Sequence, residues 1–154
     1  MVIHVDTREK PRAIVRIMKT FDAEGVEVVR RALPFGDYLN PDRPGIVIDR
    51  KQTLLEVASN LIQDRVRFLR EVDRANRSGC RLIVLVEHSN RIRCLEDVMH
   101  WNNPRLKESP YAVSGERLYK IMYTMGRYYH FDWAFCDKVH TGQRIIELLG
   151  GDDI

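Results

Sequence analysis

Cysteine is scarce in this sequence, and the few cysteines present are poorly placed for cross-links or metal binding. Cys80, Cys94 and Cys136 are odd in number, far apart and never part of a CxxC pair. This pattern argues against a disulfide framework and against a cysteine zinc site. The five histidines show neither HExxH nor HxxxH spacing, so histidine-based zinc chemistry has no support either. A reducing compartment fits this composition.

Long apolar runs are also missing. The longest stretches, such as LIVLV at 82–86, are far shorter than the roughly 20 residues that a membrane-spanning helix needs. The N-terminus has no apolar segment of the kind found in a signal peptide. We therefore expect a soluble, cytoplasmic protein with no membrane partner. The 154 residues, of which 44% are hydrophobic, suit a single domain with a full core and a short frayed tail at 150–154.

An excess of charge is lacking as well, since the formal net charge is only +3. The positive charge is nevertheless unevenly spread, and arginine carries most of it. Each cluster is either a solvated helix face or a set of phosphate contacts. The clusters are Arg12/Arg16/Lys19, Arg30/Arg31, Arg65/Arg67/Arg70, Arg74/Arg77 and Arg91/Arg93.

Strand and helix patterns alternate along the chain. Short runs rich in β-branched residues predict strands at 2–6, 26–31, 37–39, 46–49, 81–87 and 131–136. Apolar residues at helical spacing predict helices at 11–25, 53–76, 95–101, 114–129 and 141–149. This order predicts an α/β fold with a central mixed β-sheet flanked by helices. The loop at 102–113 either closes on a ligand or merely connects two helices.

Three charged residues fall at predicted strand ends in a spacing suited to metal chemistry. Asp37 ends one strand and Asp49 lies on the next, so the two carboxylates can meet at one hard divalent ion such as Mg²⁺ or Mn²⁺. Lys51 follows Asp49 by two residues and therefore emerges on the same face of the strand. This D…(D/E)xK arrangement indicates metal-assisted phosphodiester hydrolysis, with the lysine beside the attacking water.

Several motifs in order resemble the nuclease domain of the XPF/Hef/Mus-type structure-specific endonucleases, within the PD-(D/E)XK superfamily. They are VDTREK at 5–10, GDY at 36–38, DRK at 49–51, DRxRF at 64–68 and VLVE at 84–87. The similarity covers most of the chain. It implies a restriction-endonuclease-like nuclease fold and an enzyme that uses Mg²⁺ or Mn²⁺ to cut one DNA strand near a flap, fork or other branch, in repair or recombination.

The resemblance also implies roles for individual residues. Asp37 and Asp49 would be metal ligands, and Lys51 the catalytic lysine. The supporting members of the predicted catalytic set are Arg50, Asp6 and Glu9. Asp6 and Glu9 would be acidic residues near the metal, and Glu9 is predicted as a further metal ligand.

Contacts to DNA are predicted from Arg8, Tyr38 and Arg65. Tyr38 either stacks on a base or packs in the core. Arg65 falls on an apolar stripe of the predicted helix at 53–76, and an unpaired buried charge is costly. It therefore needs either a carboxylate partner, such as Asp6, Glu9 or Asp37, or a DNA phosphate.

The sequence departs from the family pattern in two positions. Asp49 replaces the usual glutamate, which shortens the ligand by one methylene and retains its charge. Leu55 stands where the motif has an acidic residue, and Glu56 follows it. Because one residue turns a helical side chain by about 100°, Glu56 is not counted as a substitute.

The family's cellular proteins also carry a tandem helix-hairpin-helix module, which this chain of 154 residues does not contain. We expect a compact standalone form in which junction binding comes from the nuclease surface, a homodimer mate or a partner subunit. Two alternatives are a non-catalytic DNA-binding scaffold subunit and a Holliday-junction resolvase. The intact GD…DRK motif argues against the scaffold, and VDTRE ahead of GDY argues against the resolvase.

Overall fold

The structure is a computed structural model that describes residues 1–151. The strands are β1 Val2–Val5, β2 Glu27–Arg30, β3 Tyr38–Leu39, β4 Ile46–Lys51, β5 Arg81–Val86 and β6 Asp132–Phe135. The α-helices are α1 Val15–Ala23, α2 Leu54–Ile62, α3 Arg65–Arg77, α4 Gly115–Tyr129 and α5 Thr141–Gly150. Short 3₁₀ helices lie at Pro11–Ala13, Leu95–His100 and Pro104–Lys107.

The strands form one mixed sheet in the order β2-β1-β3-β4-β5-β6. β1 runs parallel to β2, and β4, β5 and β6 run parallel to one another. The short strand β3 is antiparallel to both of its neighbours, β1 and β4. The start of β3 therefore lies beside the ends of β1 and β4. The predicted α/β fold with a central mixed sheet is confirmed.

Both faces of the sheet are covered by helices, and alternate residues of each strand enter different cores. Val47 and Val84 join the cluster that packs under α2, α3 and α4. Ile48 and Leu85 join the cluster that packs under α1 and α5. By the same alternation, Asp49 and Lys51 lie on the face of Val47, and Arg50 lies on the opposite face with Ile48.

The single long helix predicted at 53–76 is wrong, because the chain forms two helices that break at 63–64. α2 ends at Ile62, and α3 then buries its own set of apolar residues, Phe68, Val72 and Ala75. Phe68 packs edge-to-face on Phe131 with ring centroids 5.4 Å apart. No glycine or proline marks this break, and the apolar spacing continues across it.

Smaller differences concern the C-terminal third of the chain. Much of the predicted loop at 102–113 is irregular, but it contains the 3₁₀ helix Pro104–Lys107. The predicted frayed tail begins too early, because Gly150 is the last residue of α5 and Gly151 caps it. The rest of that tail, 152–154, lies outside the described residues. Across 1–151, no helix is both long and apolar enough for a membrane span.

The turn that leads into β3 requires glycine at position 36. Gly36 has φ +71°, in the left-handed region, and its amide donates to the Glu71 carboxylate at 2.9 Å. A Cβ atom there would overlap the Val47 side chain and lie 3.1 Å from the carbonyl oxygen of Ile48. The turn is thus fitted closely against β4.

We expect Gly36→Ala to destabilise the domain more than Gly25→Ala does. Both glycines have similar positive φ values, but nothing lies within 4 Å of a Cβ at Gly25. Each substitution carries the left-handed backbone cost of about 1–2 kcal/mol, and crowding at Gly36 adds roughly 1–3 kcal/mol. Urea unfolding of the two variants checks this, and equal losses would contradict the close fit of the turn.

Candidate active site

The ends of β1 and β4 and the start of β3 surround an open pocket of about 390 Å³. The pocket brings together six of the residues predicted for the site, namely Arg8, Glu9, Asp37, Asp49, Arg50 and Lys51. Asp6, Tyr38 and Arg65 do not line it. Its other lining residues are Lys10, Ala13, Gln52, Glu56 and Glu71.

Asp37 is fixed in place by its own backbone and by its neighbours. Its amide donates to the carbonyl of Ile48 at 2.7 Å, and its carbonyl accepts from the amide of Asp6 at 2.8 Å. One carboxylate oxygen, Oδ2, accepts from the amide of Arg50 at 2.8 Å. Burial, followed by the nearby charges of Asp49 and Glu9, holds the pKa of Asp37 well above its usual range.

Asp49 is only 5% exposed, and its Oδ2 is a buried oxygen without a hydrogen-bond partner among residues 1–151. The Lys51 ammonium lies 3.2 Å from this oxygen, an ion-pair distance without hydrogen-bond geometry. Burial raises the pKa of Asp49, the charge of Lys51 opposes that rise, and Glu71 adds to it. Two acids with raised pKa values, the half-buried Asp37 and the buried Asp49, therefore share one pocket.

Lys51 remains charged in this setting. Burial alone would lower the pKa of its ammonium, but the Asp49 carboxylate raises it, as do Glu56 and Asp37. The net shift is upward. Lys51 therefore brings a fixed positive charge to the side of the pocket where the two aspartates are.

The donor set suits a hard divalent cation. Carboxylate oxygens are the ligands that Mg²⁺ and Mn²⁺ prefer, and an ion would relieve the repulsion between Asp37 and Asp49. The unpartnered Oδ2 of Asp49 is the atom most in need of such a ligand. Within the described range 1–151, no three Asp, Glu, His or Cys side chains surround a common point. Asp37 and Asp49 are thus the two residues that would hold such an ion, and waters would complete its shell, because Mg²⁺ commonly retains several.

Arg50 and Glu9 have a structural role that the sequence did not reveal. The Arg50 guanidinium binds both carboxylate oxygens of Glu9, at 2.7 and 2.9 Å, and also the carboxylate of Glu87. Tyr38 donates its hydroxyl to Glu9 at 3.0 Å. Both oxygens of Glu9 are therefore engaged. This geometry favours a supporting function for Arg50 and Glu9 over direct contact with a metal or a reacting atom.

Asp6 and Arg8 lie at the edge of the same region. The fully buried Asp6 carboxylate accepts from the amide of Leu33 at 2.8 Å and from Nε of Arg8 at 2.5 Å. Burial alone would raise the pKa of Asp6, but these hydrogen bonds lower it overall. Asp6 thus anchors the loop after β2. The Arg8 side chain is 64% exposed at the pocket rim, where it is accessible to a phosphate.

Two predicted DNA contacts lie away from the pocket. Tyr38 is fully buried and packs edge-to-face on Phe21 at 6.2 Å, which matches the packing alternative and leaves no face for a base. Arg65 is exposed because the helix breaks before it. The predicted need for a buried partner is therefore wrong, and Arg65 makes no ion pair with any residue in 1–151.

Acidic residues from three other positions belong to the site or its support. The sequence did not indicate Glu71, Glu56 was set aside as a substitute for the motif acid, and Glu87 was noted only as the acid of the VLVE motif. Glu71 of α3 reaches the pocket and accepts from the amide of Gly36. Glu56 also lines it, with its Oε2 accepting from the amide of Gln52 at 2.8 Å. Leu55 instead packs against the core. Glu87 is buried between Arg50 and Thr141, at the start of α5.

Comparison with known families agrees with this architecture. A family model described as the ERCC4 domain matches residues 5–135, which includes every strand from the end of β1 to β6 and the whole pocket. The chain belongs to the ERCC4 domain family. This confirms the resemblance that the VDTRE, GDY and DRK motifs indicated. No curated protein matches the chain at a significant level.

Solved structures similar to this ERCC4 domain include two of XPF from Aeropyrum pernix. One is 22% identical with a TM-score of 0.66, and the other, a complex with DNA, is 24% identical with the same TM-score. Each match covers 97% of this chain and 63% of the XPF chain. The likeness shows a shared fold, and the ERCC4 domain spans less than two thirds of the length of those relatives.

Replacing Arg50 should unfold the domain far more readily than replacing an exposed arginine. Arg50→Gln leaves Glu9 and Glu87 as buried charges without their partner, and breaking a buried pair in this way costs about 3–5 kcal/mol. Arg77→Gln removes the exposed pair with Asp73, at an expected cost of about 1 kcal/mol or less. Urea unfolding measures both. A loss below 1 kcal/mol in Arg50→Gln would contradict the supporting role.

Proposed function

We propose that this ERCC4 domain is a divalent-metal-dependent DNA endonuclease that hydrolyses phosphodiester bonds through Asp37, Asp49 and Lys51. The observation that carries the proposal is a pair of aspartates with raised pKa values, the half-buried Asp37 and the buried Asp49, beside a charged lysine in an open pocket. One oxygen of Asp49 accepts no hydrogen bond. Perturbed acids concentrated in one cleft are typical of catalytic sites. Membership of the ERCC4 family supports the same assignment.

Each residue has a distinct task in this proposal. Asp37 and Asp49 would hold Mg²⁺ or Mn²⁺, and the bound ion would neutralise phosphate charge and lower the pKa of a coordinated water. Lys51 keeps its proton because Asp49 stabilises the ammonium, which favours stabilisation of the developing negative charge over proton abstraction. Arg8 at the rim would orient a neighbouring phosphate.

DNA is the proposed substrate because the fold is shared with an XPF protein solved in complex with DNA. We extend the proposal to branched DNA with a duplex to single-strand junction, cut in repair or recombination. A homodimer or a partner subunit would supply further contacts to the junction, and the cytoplasm is the proposed compartment. These finer statements depend on the motif resemblance and on the proposed active site.

A second candidate function is a non-catalytic DNA-binding subunit of a nuclease. The observation that favours it is the absence, within 1–151, of a third carboxylate around a common point with Asp37 and Asp49. Leu55, which packs in the core where the motif has an acid, points the same way. The retained Asp37, Asp49 and Lys51 favour the enzyme.

Cleavage assays distinguish these functions. We expect Mg²⁺ or Mn²⁺ to support cutting of labelled flap or fork DNA, and Ca²⁺ to support binding with little cutting, because Ca²⁺ coordinates more loosely. Asp37→Asn and Lys51→Ala should each reduce the rate by roughly 10²-fold or more. Asp22→Asn, at an exposed site on α1, serves as the matched control and should cut normally.

Efficient cutting in excess chelator would contradict the metal mechanism. Binding of branched DNA without any cutting would favour the non-catalytic subunit. Preference for four-way junctions over flaps and forks would indicate a resolvase.

A further inference from the structure

A second cavity, of about 500 Å³, adjoins the active-site pocket on the α1 side of the sheet. We call it the basic groove. The two cavities share Ala13, Arg50 and Gln52 as lining residues, so they lie side by side. The basic side chains that line the groove beyond this shared wall are Arg12, Arg16, Lys19 and Lys138.

The four cations converge from two parts of the fold. Arg12 lies in the 3₁₀ helix Pro11–Ala13, before α1. Arg16 and Lys19 lie on α1 at the spacing i, i+3, which places them on one face of that helix. Lys138 follows β6 and also lines the groove. All four are exposed. Positive charge from two separate parts of the fold therefore lines the groove.

None of these cations is neutralised by the protein. Within 1–151, neither Arg12, Arg16, Lys19 nor Lys138 makes an ion pair, whereas other exposed arginines do, such as Arg77 with Asp73 at 3.0 Å.

The acid that lines the groove is Glu87, whose carboxylate is already held by Arg50 and Thr141. A concave surface with charge of one sign concentrates field lines and attracts a polyanion.

The position of the groove indicates which polyanion it takes. Arg8 and Lys10 line the active-site pocket, so exposed cations continue from that pocket through Arg12 and Arg16 to Lys19. A chain of phosphates that enters the pocket can thus meet successive positive side chains as it leaves. This path leads to the two aspartates proposed to hold the metal, and that position favours a nucleic-acid strand over an acidic protein segment.

We propose that the basic groove binds the sugar-phosphate backbone of the DNA strand next to the bond that is cut. The groove would hold phosphates on one side of the scissile position, and would provide part of the DNA affinity that this domain has. The assignment of the strand as the one being cut rests on the proposed nuclease function, whereas DNA binding in the groove does not.

Salt dependence of DNA binding tests the groove directly. The groove variant is Arg12→Gln/Arg16→Gln/Lys19→Gln/Lys138→Gln, and the matched control is Arg74→Gln/Arg105→Gln/Lys107→Gln/Arg117→Gln. The control removes the same charge from exposed residues outside both cavities. Fluorescence anisotropy of a labelled flap substrate in Ca²⁺ gives Kd over a range of salt concentrations.

We expect the groove variant to bind at least tenfold more weakly at low salt. Four lost phosphate contacts should reduce the slope of log K against log salt by about 3, since each contact contributes roughly 0.7–0.9. The control should change the slope by less than the contribution of one phosphate contact. A double variant, Arg16→Gln/Lys138→Gln, should reduce the slope by about half as much as the quadruple variant. Thermal unfolding checks that the quadruple variant folds. If it does not fold, the double variant still tests the groove.

Each outcome bears on the groove or on the nuclease separately. Equal losses in groove and control variants would overturn the groove as a specific DNA track. Unchanged DNA binding in the groove variant, with poly-glutamate binding lost, would reassign the groove to an acidic protein. If the groove variant binds DNA more weakly and the wild type cuts nothing, the groove proposal stands and the nuclease proposal fails.

Discussion

The buried Arg50 guanidinium links the parts of the fold on which the candidate site depends. It joins the loop after β1 through Glu9 and the end of β5 through Glu87. The backbone amide of Arg50 also donates a hydrogen bond to the Asp37 carboxylate. One residue thus fixes the start of β3 against the end of β4. Its neighbours Asp49 and Lys51 point to the opposite face because strand residues alternate.

This arrangement holds two acids in one pocket. Asp37 is half-buried and Asp49 is buried, and both pKa values are raised. The surroundings of Arg50 and Asp49 differ. The Arg50 guanidinium is paired with both Glu9 and Glu87. One oxygen of Asp49, in contrast, accepts no hydrogen bond. Buried polar groups are normally satisfied, and exceptions are common where a ligand completes the site. The network around Arg50 is therefore the support, and Asp37, Asp49 and Lys51 are the residues that we propose act on a ligand.

Sequence reasoning predicted the mixed sheet and the convergence of Asp37, Asp49 and Lys51. Both follow from short-range periodicity, because strand ends and the two-residue alternation can be read directly from the chain. The same alternation would have placed Arg50 on the opposite face from Asp49, so a signal for its structural role was present.

The remaining errors depend on tertiary packing. The helix break at 63–64 has no glycine or proline to mark it, and the apolar spacing continues across it. Glu71 reaches the site only because α3 crosses the turn at Gly36, which no local pattern predicts. The engagement of Glu9 by Arg50 likewise joins residues 41 positions apart in sequence.

Asp37 and Asp49 are together proposed to bind a divalent ion. The most direct measurement is calorimetric titration of Mn²⁺ into the wild-type protein and into Asp49→Asn, without DNA. We expect one site in the wild type and at least a tenfold weaker site in the variant, since a buried carboxylate ligand is lost. Equal Mn²⁺ affinity in the two proteins would place the ion elsewhere and contradict the account.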